Sequence, residues 1–319
     1  MGIRTLFKKQ GGFSLLRSYA YNHVLLYAFF MFLLIPKNKK GLELFRELLN
    51  LKIYRKIKRK YRKFILQQKD NIILPTKDSQ EIQNILPKII WFCWLQGIEK
   101  APPLVISCYE SVKKYCTDYE IRIITENNFS NFADIPDFIV NKWKKGIITH
   151  AHFSDILRTA LLVRNGGIWI DSTVLLTAPI PNNIEKASFF LFRTYKPGSN
   201  GKAINLSSWF ISSQKSNRLL VLVQKLLCEY WKKQNFLCDY FLFHIFLEIA
   251  MEVLPDEAAN IPKYTNETPH FLLFELGNDY NLEKWESITK QSFCHKLTNK
   301  LEKSVKLQKG TFYDKILEN

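Results

Sequence analysis

HFSDILRTALLVRNGGIWIDST, from His152 to Thr173, is the stretch on which the reading of this chain turns. A helical run from His152 to Arg164 stops at Asn165-Gly166-Gly167, where glycine supplies the left-handed cap. Ile168–Ile170 then reads as a short buried strand that ends at Asp171. On the helix, Asp155, Arg158 and Thr159 are spaced i, i+3, i+4 and share one face, amid Ile156, Leu157, Ala160 and Leu161. A buried Asp–Arg pair that merely anchors a helix is the bland account of that face. The reversal at the glycines weighs against it, because it returns Asp171 beside the same helix. Two acids and a guanidinium then form a small polar floor in an apolar setting. Such a floor suits a polyhydroxyl ligand with phosphates: acids accept from hydroxyls or hold a divalent metal, and arginine satisfies an anion. Thr173 stands where a second carboxylate, two residues after Asp171, would complete a cation site.

Outward from this stretch the pattern alternates. Pro87–Trp94 (PKIIWFCW) reads as a buried strand, Leu104–Tyr115 as a helix, Tyr119–Thr125 as a second strand and Phe138–Lys145 as a short helix. Strand, helix, strand, helix, strand is the order of an α/β sheet covered by helices, and ligands of such sheets sit at the carboxyl ends of strands. Asp171 lies at one such end. Beyond it, Phe189–Arg193 reads as a strand, and Asn217–Lys232 and Asp239–Leu254 as aromatic-rich helices.

Charge divides the chain. Residues 1–69 hold 17 Lys/Arg against 2 Asp/Glu, and the remainder holds 29 against 27. A nearly neutral body thus carries a strongly basic N-terminal arm, which points to an anionic partner for the arm. Val24–Ile35 (VLLYAFFMFLLI) is apolar throughout but shorter than the roughly 20 residues of a spanning helix. No small-x-small cleavage site follows it, which argues against a removable signal peptide. A re-entrant or interfacial helix fits better, with a tilted span through Tyr19–Ile35 as the alternative. Next, Leu42, Phe45, Leu49, Ile53, Ile57, Tyr61 and Phe64 recur at helical spacing between crowded Lys and Arg. That is how a helix lies in an anionic bilayer surface; a bundle helix with a solvated basic face is the competing account. We therefore expect a membrane-associating arm at 1–70, a linker at 71–86, a folded domain at 87–300 and a tail at 301–319. The abundance of apolar residues excludes global disorder. The six cysteines show no paired metal-type spacing, which favours free thiols in a reducing compartment.

At this point the motifs become recognisable as a set. SDILRTALLVRNGGIWIDST resembles the sugar-binding region of the DXD glycosyltransferases, and more closely that of the bacterial capsular polysaccharide synthesis glycosyltransferases. PKIIWFCWLQG, AHFSDILR, GGIWIDSTVLLT, SSWFISSQKSNRLL, DYFLFHIF and HKLTNK extend the resemblance, in consistent order, over about 210 of 319 residues. It implies a GT-A (Rossmann-like) domain, a nucleotide-sugar donor, a saccharide acceptor carried on a lipid, Mn²⁺ or Mg²⁺ as cofactor, retention of configuration, and work at the cytoplasmic face of the bacterial plasma membrane. Matched motif by motif, Asp155 and Arg158 correspond to the acid and arginine that grip the donor, and Asp171 to the first acid of DXD. Thr173 replaces the second acid, a departure that puts the metal in question, since a hydroxyl is a weak ligand for these cations. His295 and Lys296 are then expected on the diphosphate, with His295 joining Asp171 on the metal. Trp91 and Trp94 are expected at the nucleotide base, and Trp209 and Asp239 toward the acceptor. His244, alone on an apolar helix, reads as core.

Two rivals predict different behaviour. A degenerate body kept as a membrane scaffold is favoured by Thr173 and opposed by the survival of Asp155, Arg158 and Asp171. A nucleic-acid binder driven by the arm lacks any binding motif to go with its charge.

Overall fold

The structure, a computed structural model, describes residues 13–71, 86–195 and 203–318. The first twelve residues of the arm and nearly all of the 71–86 linker lie outside the described residues. The arm contributes α1 (Phe13–Tyr21), α2 (Leu25–Leu34) and the 33-residue α3 (Lys39–Asn71). The body follows as β1 (Ile89–Cys93), α4 (Pro103–Tyr115), β2 (Glu120–Ile124), α5 (Asp137–Lys144), α6 (His150–Asn165) and β3 (Gly167–Ile170). Then come β4 (Val174–Leu176), β5 (Phe189–Arg193), β6 (Leu206–Ser213), α7 (Arg218–Lys233), α8 (Leu242–Val253), β7 (Cys294–Lys296) and α9 (Phe312–Glu318).

Five strands form one sheet in the order β2-β1-β3-β6-β5, and β4 pairs with β7 separately. β1 runs parallel to both β2 and β3, whereas β6 runs antiparallel to β3 and β5 antiparallel to β6. This is the expected α/β fold behind a helical arm, with its parallel half at β2-β1-β3. Strand alternation sorts the side chains onto two faces. Trp91, Trp169, Leu191 and Ile211 pack toward α6, α7 and α8. Ile90, Phe92, Ile168, Ile170, Phe190 and Phe210 pack toward α4 and β4.

The glycine turn before β3 behaves as its sequence dictates. Gly166 and Gly167 have φ of 71° and 96°, and a Cβ on Gly167 would fall 2.5 Å from the Ile89 carbonyl oxygen. Only glycine admits both the positive φ and the close approach of β1. At the other end of α6, Thr149 caps the helix by accepting from the His152 N–H.

Three expectations about the periphery are corrected. The stripe on α3 does not face lipid. Leu49, Ile53, Ile57 and Tyr61 are all 5% exposed or less, and the last three belong to the main core. Tyr61 meets Phe246 of α8 edge to face at 5.4 Å, and the Tyr54 hydroxyl donates to Glu252. Apolar surface is exposed on α2 instead, at Leu26, Phe29, Phe30, Leu33 and Leu34. Among the described residues, no helix is long and apolar enough to cross a membrane. Finally, residues 312–318 are no tail: Phe312, Tyr313 and Ile316 are buried with Leu104 and Cys108 of α4 in a third cluster.

Candidate functional site

A pocket of about 240 Å³ opens at the carboxyl end of β3, against the first turns of α6, with Asp155, Arg158, Trp169 and Asp171 in its wall. The chain reversal at Gly166-Gly167 brings these together, as the sequence led us to expect. Arg158 is the joint. Its Nη1 donates to Asp155 Oδ1 at 2.6 Å and its Nη2 to Asp171 Oδ1 at 3.1 Å. The guanidinium lies 5.0 Å from the Trp169 ring centroid and 5.7 Å from that of Phe243. The Trp169 indole N–H also donates to Asp171 Oδ1, at 2.8 Å, and the Asp171 N–H donates to the Trp209 carbonyl.

The remaining oxygen of Asp171 is met from far along the chain. Lys296 Nζ donates to Asp171 Oδ2 at 3.0 Å and to Thr173 Oγ1 at 2.7 Å. The ammonium therefore sits between the acid and the hydroxyl that replaces the second acid. Burial alone would raise the carboxyl of Asp171, but Lys296 and then Arg158 outweigh it and hold it below the ordinary carboxylate value. For Asp155 burial is again opposed, by Arg158 first and His152 second, with the same downward result. Both acids are thus ionised at neutral pH.

His152 and His244 complete the wall; the sequence did not single out His152 as a site residue, and it read His244 as core, which its place in the pocket lining corrects. His152 Nε2 accepts from the Trp231 indole N–H at 3.0 Å, so the ring proton sits on Nδ1, 3.4 Å from Asp155 Oδ2. That contact is long for a hydrogen bond and acts as an electrostatic one. Burial drives His244 down to about 4, against the upward pull of Asp155. Its Nδ1 has no hydrogen-bond partner among the described residues. The sequence signal for His152 was its i, i+3 spacing to Asp155; His244 was misassigned because the apolar residues around it in α8 say nothing about which turn of that helix meets the pocket.

Several expected residues fall elsewhere. Trp91 is fully buried, and its indole N–H donates to the Gly166 carbonyl at 2.8 Å, so it braces the turn before β3 and faces no base. Trp94 packs beside the second core cluster and does not line the pocket. Trp209 stacks on Phe192 at 4.5 Å and donates to Asn266, so it supports Asp171 through its backbone alone. His295 is the clearest correction. Strand alternation on β7 turns it away from Lys296, into full burial, with Nε2 3.1 Å from Thr177 Oγ1. It neither lines the pocket nor meets Asp171. Asp239 lies outside this pocket as well: it precedes α8, accepts from the Phe241 N–H at 2.7 Å and lines a neighbouring cavity.

These placements test the site against Mn²⁺ or Mg²⁺. Such cations demand several anionic or carbonyl oxygens with free lone pairs. Asp171 offers a single carboxylate whose two oxygens already accept from Arg158, Trp169 and Lys296, and the Thr173 hydroxyl accepts from the same ammonium. No group of three His, Cys, Asp or Glu side chains able to hold a metal occurs among the described residues. The residues do not fit the cation.

Comparison with known proteins gives a family. Residues 36–316 match the family model described as "Capsular polysaccharide synthesis protein", a span that takes in all of α3, the sheet and most of α9. No curated protein matches the chain. Among similar solved structures are the PaToxG glycosyltransferase and a glycosyltransferase involved in glycosylation of the major capsid of PBCV-1. The first is 15% identical over 63% of this chain and 79% of its own, with a TM-score of 0.41. The second is 12% identical over 72% and 98%, with a TM-score of 0.38.

Proposed function

The chain belongs to the capsular polysaccharide synthesis family, and from that premise we propose that it works there as a glycosyltransferase. It moves a sugar from a nucleotide-diphosphate donor to a saccharide acceptor carried on a lipid, with retention of configuration. The observation that carries this reading is the array of Asp155, Arg158, Asp171 and Lys296 at the carboxyl end of β3.

Breaking the bond between sugar and diphosphate leaves new negative charge on the departing oxygen. A cation fixed beforehand lowers that barrier without reorganising. Lys296 is suited to the task, because its side chain is 21% exposed while that of Arg158 is 5%. Arg158 is a positioning residue: it fixes the two carboxylates. They in turn accept hydrogen bonds from hydroxyls of the donor. In attack from the face of departure, the acceptor oxygen bonds the anomeric carbon as the bond to the diphosphate oxygen breaks. That leaving oxygen takes the hydroxyl's proton, so no separate carboxylate base is needed. Because the side chains do not suit Mn²⁺ or Mg²⁺, no step passes through a metal, and Lys296 carries the charge.

The same proposal seats the enzyme peripherally on the cytoplasmic face of the bacterial plasma membrane. The exposed apolar residues of α2 support it. So does the basic face of α3 made by Lys52, Arg55, Lys56 and Arg59. Nucleic acid is not a partner in this reading.

The test is a panel of nucleotide sugars, scored by nucleoside diphosphate release with and without EDTA. Asp171→Asn keeps the shape of the side chain and removes its charge, and should lower the rate at least about 100-fold. A natively folded Asp171→Asn protein with full activity would falsify the assignment.

A further inference from the structure

We propose that the cavity beside the catalytic pocket is the acceptor site, and that it takes the phosphate group of an amphiphilic acceptor on Arg17 and Arg46. The inference rests on the glycosyltransferase reading and adds the site and chemistry of the second substrate. The cavity, about 830 Å³, lies between α1, α3 and the segment 235–241 of the body. Thr149 and Tyr240 line both it and the catalytic pocket, so the two cavities are neighbours that meet at Tyr240, a residue 69% exposed. The volume is in the range of substrate sites.

Its charge is lopsided. Arg17 and Arg46 face it from two helices, and Asp239 is the single acid in its lining. Neither arginine forms an ion pair with a carboxylate among the described residues. The Arg17 guanidinium rests on the Phe236 ring at 4.2 Å. A guanidinium held against a ring at that distance keeps N–H groups for a planar, forked grip on phosphate oxygens. Asn50 adds a neutral donor to the same wall.

An apolar surface adjoins this cationic cavity. Phe45, next to Arg46 in α3, packs edge to face on Phe32 of α2 at 5.8 Å. That contact packs α2 on α3 at the residue next to Arg46, with Leu26, Phe29, Phe30, Leu33 and Leu34 exposed. The surface thus presents three zones in sequence: the polar catalytic pocket, two guanidinium groups, then an apolar helix. A saccharide joined through phosphate to a hydrocarbon chain has the same three zones in the same order. A soluble sugar phosphate has only the first two, and would leave α2 without a role.

The probe is dodecyl phosphate, below its micelle concentration, titrated calorimetrically into the full chain beside dodecyl maltoside and inorganic phosphate. Dodecyl phosphate should bind at least about tenfold more tightly than either control, since each lacks one of the two recognised groups. Arg17→Gln combined with Arg46→Gln should weaken it by at least about tenfold, the scale of losing charge-assisted contacts. Arg17→Lys with Arg46→Lys, which keeps charge but not the fork, should recover part of the loss and controls for folding. Equal binding by the double glutamine variant, or by dodecyl maltoside, overturns the phosphate site. Equal binding by inorganic phosphate overturns the amphiphile and leaves a soluble phosphorylated acceptor. Nucleotide-sugar binding, followed as a thermal shift, separates the two readings. If every nucleotide sugar fails to shift wild-type melting while dodecyl phosphate still binds through the arginines, the glycosyltransferase reading falls and this site stands.

Discussion

Replacing Lys296 by methionine tests the site at the cation that stands between Asp171 and Thr173. The side chain keeps its length and loses the ammonium that joins Asp171 Oδ2, at 3.0 Å, to Thr173 Oγ1, at 2.7 Å. Taking one partner from a fully buried pair costs about 3–5 kcal/mol. Here the Lys296 and Asp171 side chains are 21% and 23% exposed and Arg158 still pairs with Asp171, so roughly 1–3 kcal/mol of stability is expected. The catalytic loss should be larger. Removing one preorganised charge from the leaving group costs at least about 100-fold in rate, or about 2.7 kcal/mol. Diphosphate release is measured at neutral pH with EDTA and across a Mn²⁺ series. The wild type should tolerate EDTA and change less than about twofold with Mn²⁺. Lys296→Met should be slow throughout. Adding Thr173→Asp to it restores a second carboxylate two residues from the first, and Mn²⁺ should then recover activity. A wild-type enzyme silenced by EDTA and revived by Mn²⁺ would refute the reasoning, as would a stable Lys296→Met enzyme at full rate.

Other expectations follow from the same geometry. Arg158→Ala should unfold the body as well as silence it, because it strips the guanidinium from buried Asp155 and half-buried Asp171, at a cost of about 3–5 kcal/mol by denaturant melting. Ile57→Ala on α3 should destabilise by about 2–4 kcal/mol, as for a core residue, whereas a lipid-facing position would leave melting in detergent-free buffer unchanged. Phe29→Asp with Leu33→Asp should release the protein from vesicles containing phosphatidylglycerol while leaving its melting temperature unaltered, since both residues are exposed. Stability should fall between pH 6.5 and pH 4. Burial holds His244 and His295 at about 4 in the folded chain, so the unfolded chain binds more protons across that window. The slope approaches roughly 1.4 kcal/mol per pH unit for each histidine, and a melting temperature flat across the window would contradict it.

Local rules made part of the site legible. The i, i+3 spacing of Asp155 and Arg158 fixes a shared helical face, and the glycine pair fixes where α6 must stop and β3 begin. Those rules act within a few residues, so the Asp155–Arg158–Asp171 cluster follows from the sequence. Period-two alternation, applied to PKIIWFCW, also turns Trp91 to the α6 side of the sheet with Trp169. What alternation cannot supply is which face is covered, and α6 with its neighbours covers this one completely.

The tertiary structure decided the rest. Lys296 reaches Asp171 across 125 residues, a distance in sequence over which no spacing rule operates. The choice between Lys296 and His295 turned on the register of β7 against β4, which pairs Lys296 with Val174 and His295 with Leu175. A shift of one residue would have exchanged them. The stripe on α3 shows the same limit in another form. An amphipathic period requires that Leu49, Ile53, Ile57 and Tyr61 leave water, and sequence alone establishes that much. A bilayer and a protein core are both apolar surroundings, and the period is identical for either. Only the packing of α7 and α8 against α3 assigns that face to the core and leaves the apolar residues of α2 at the surface.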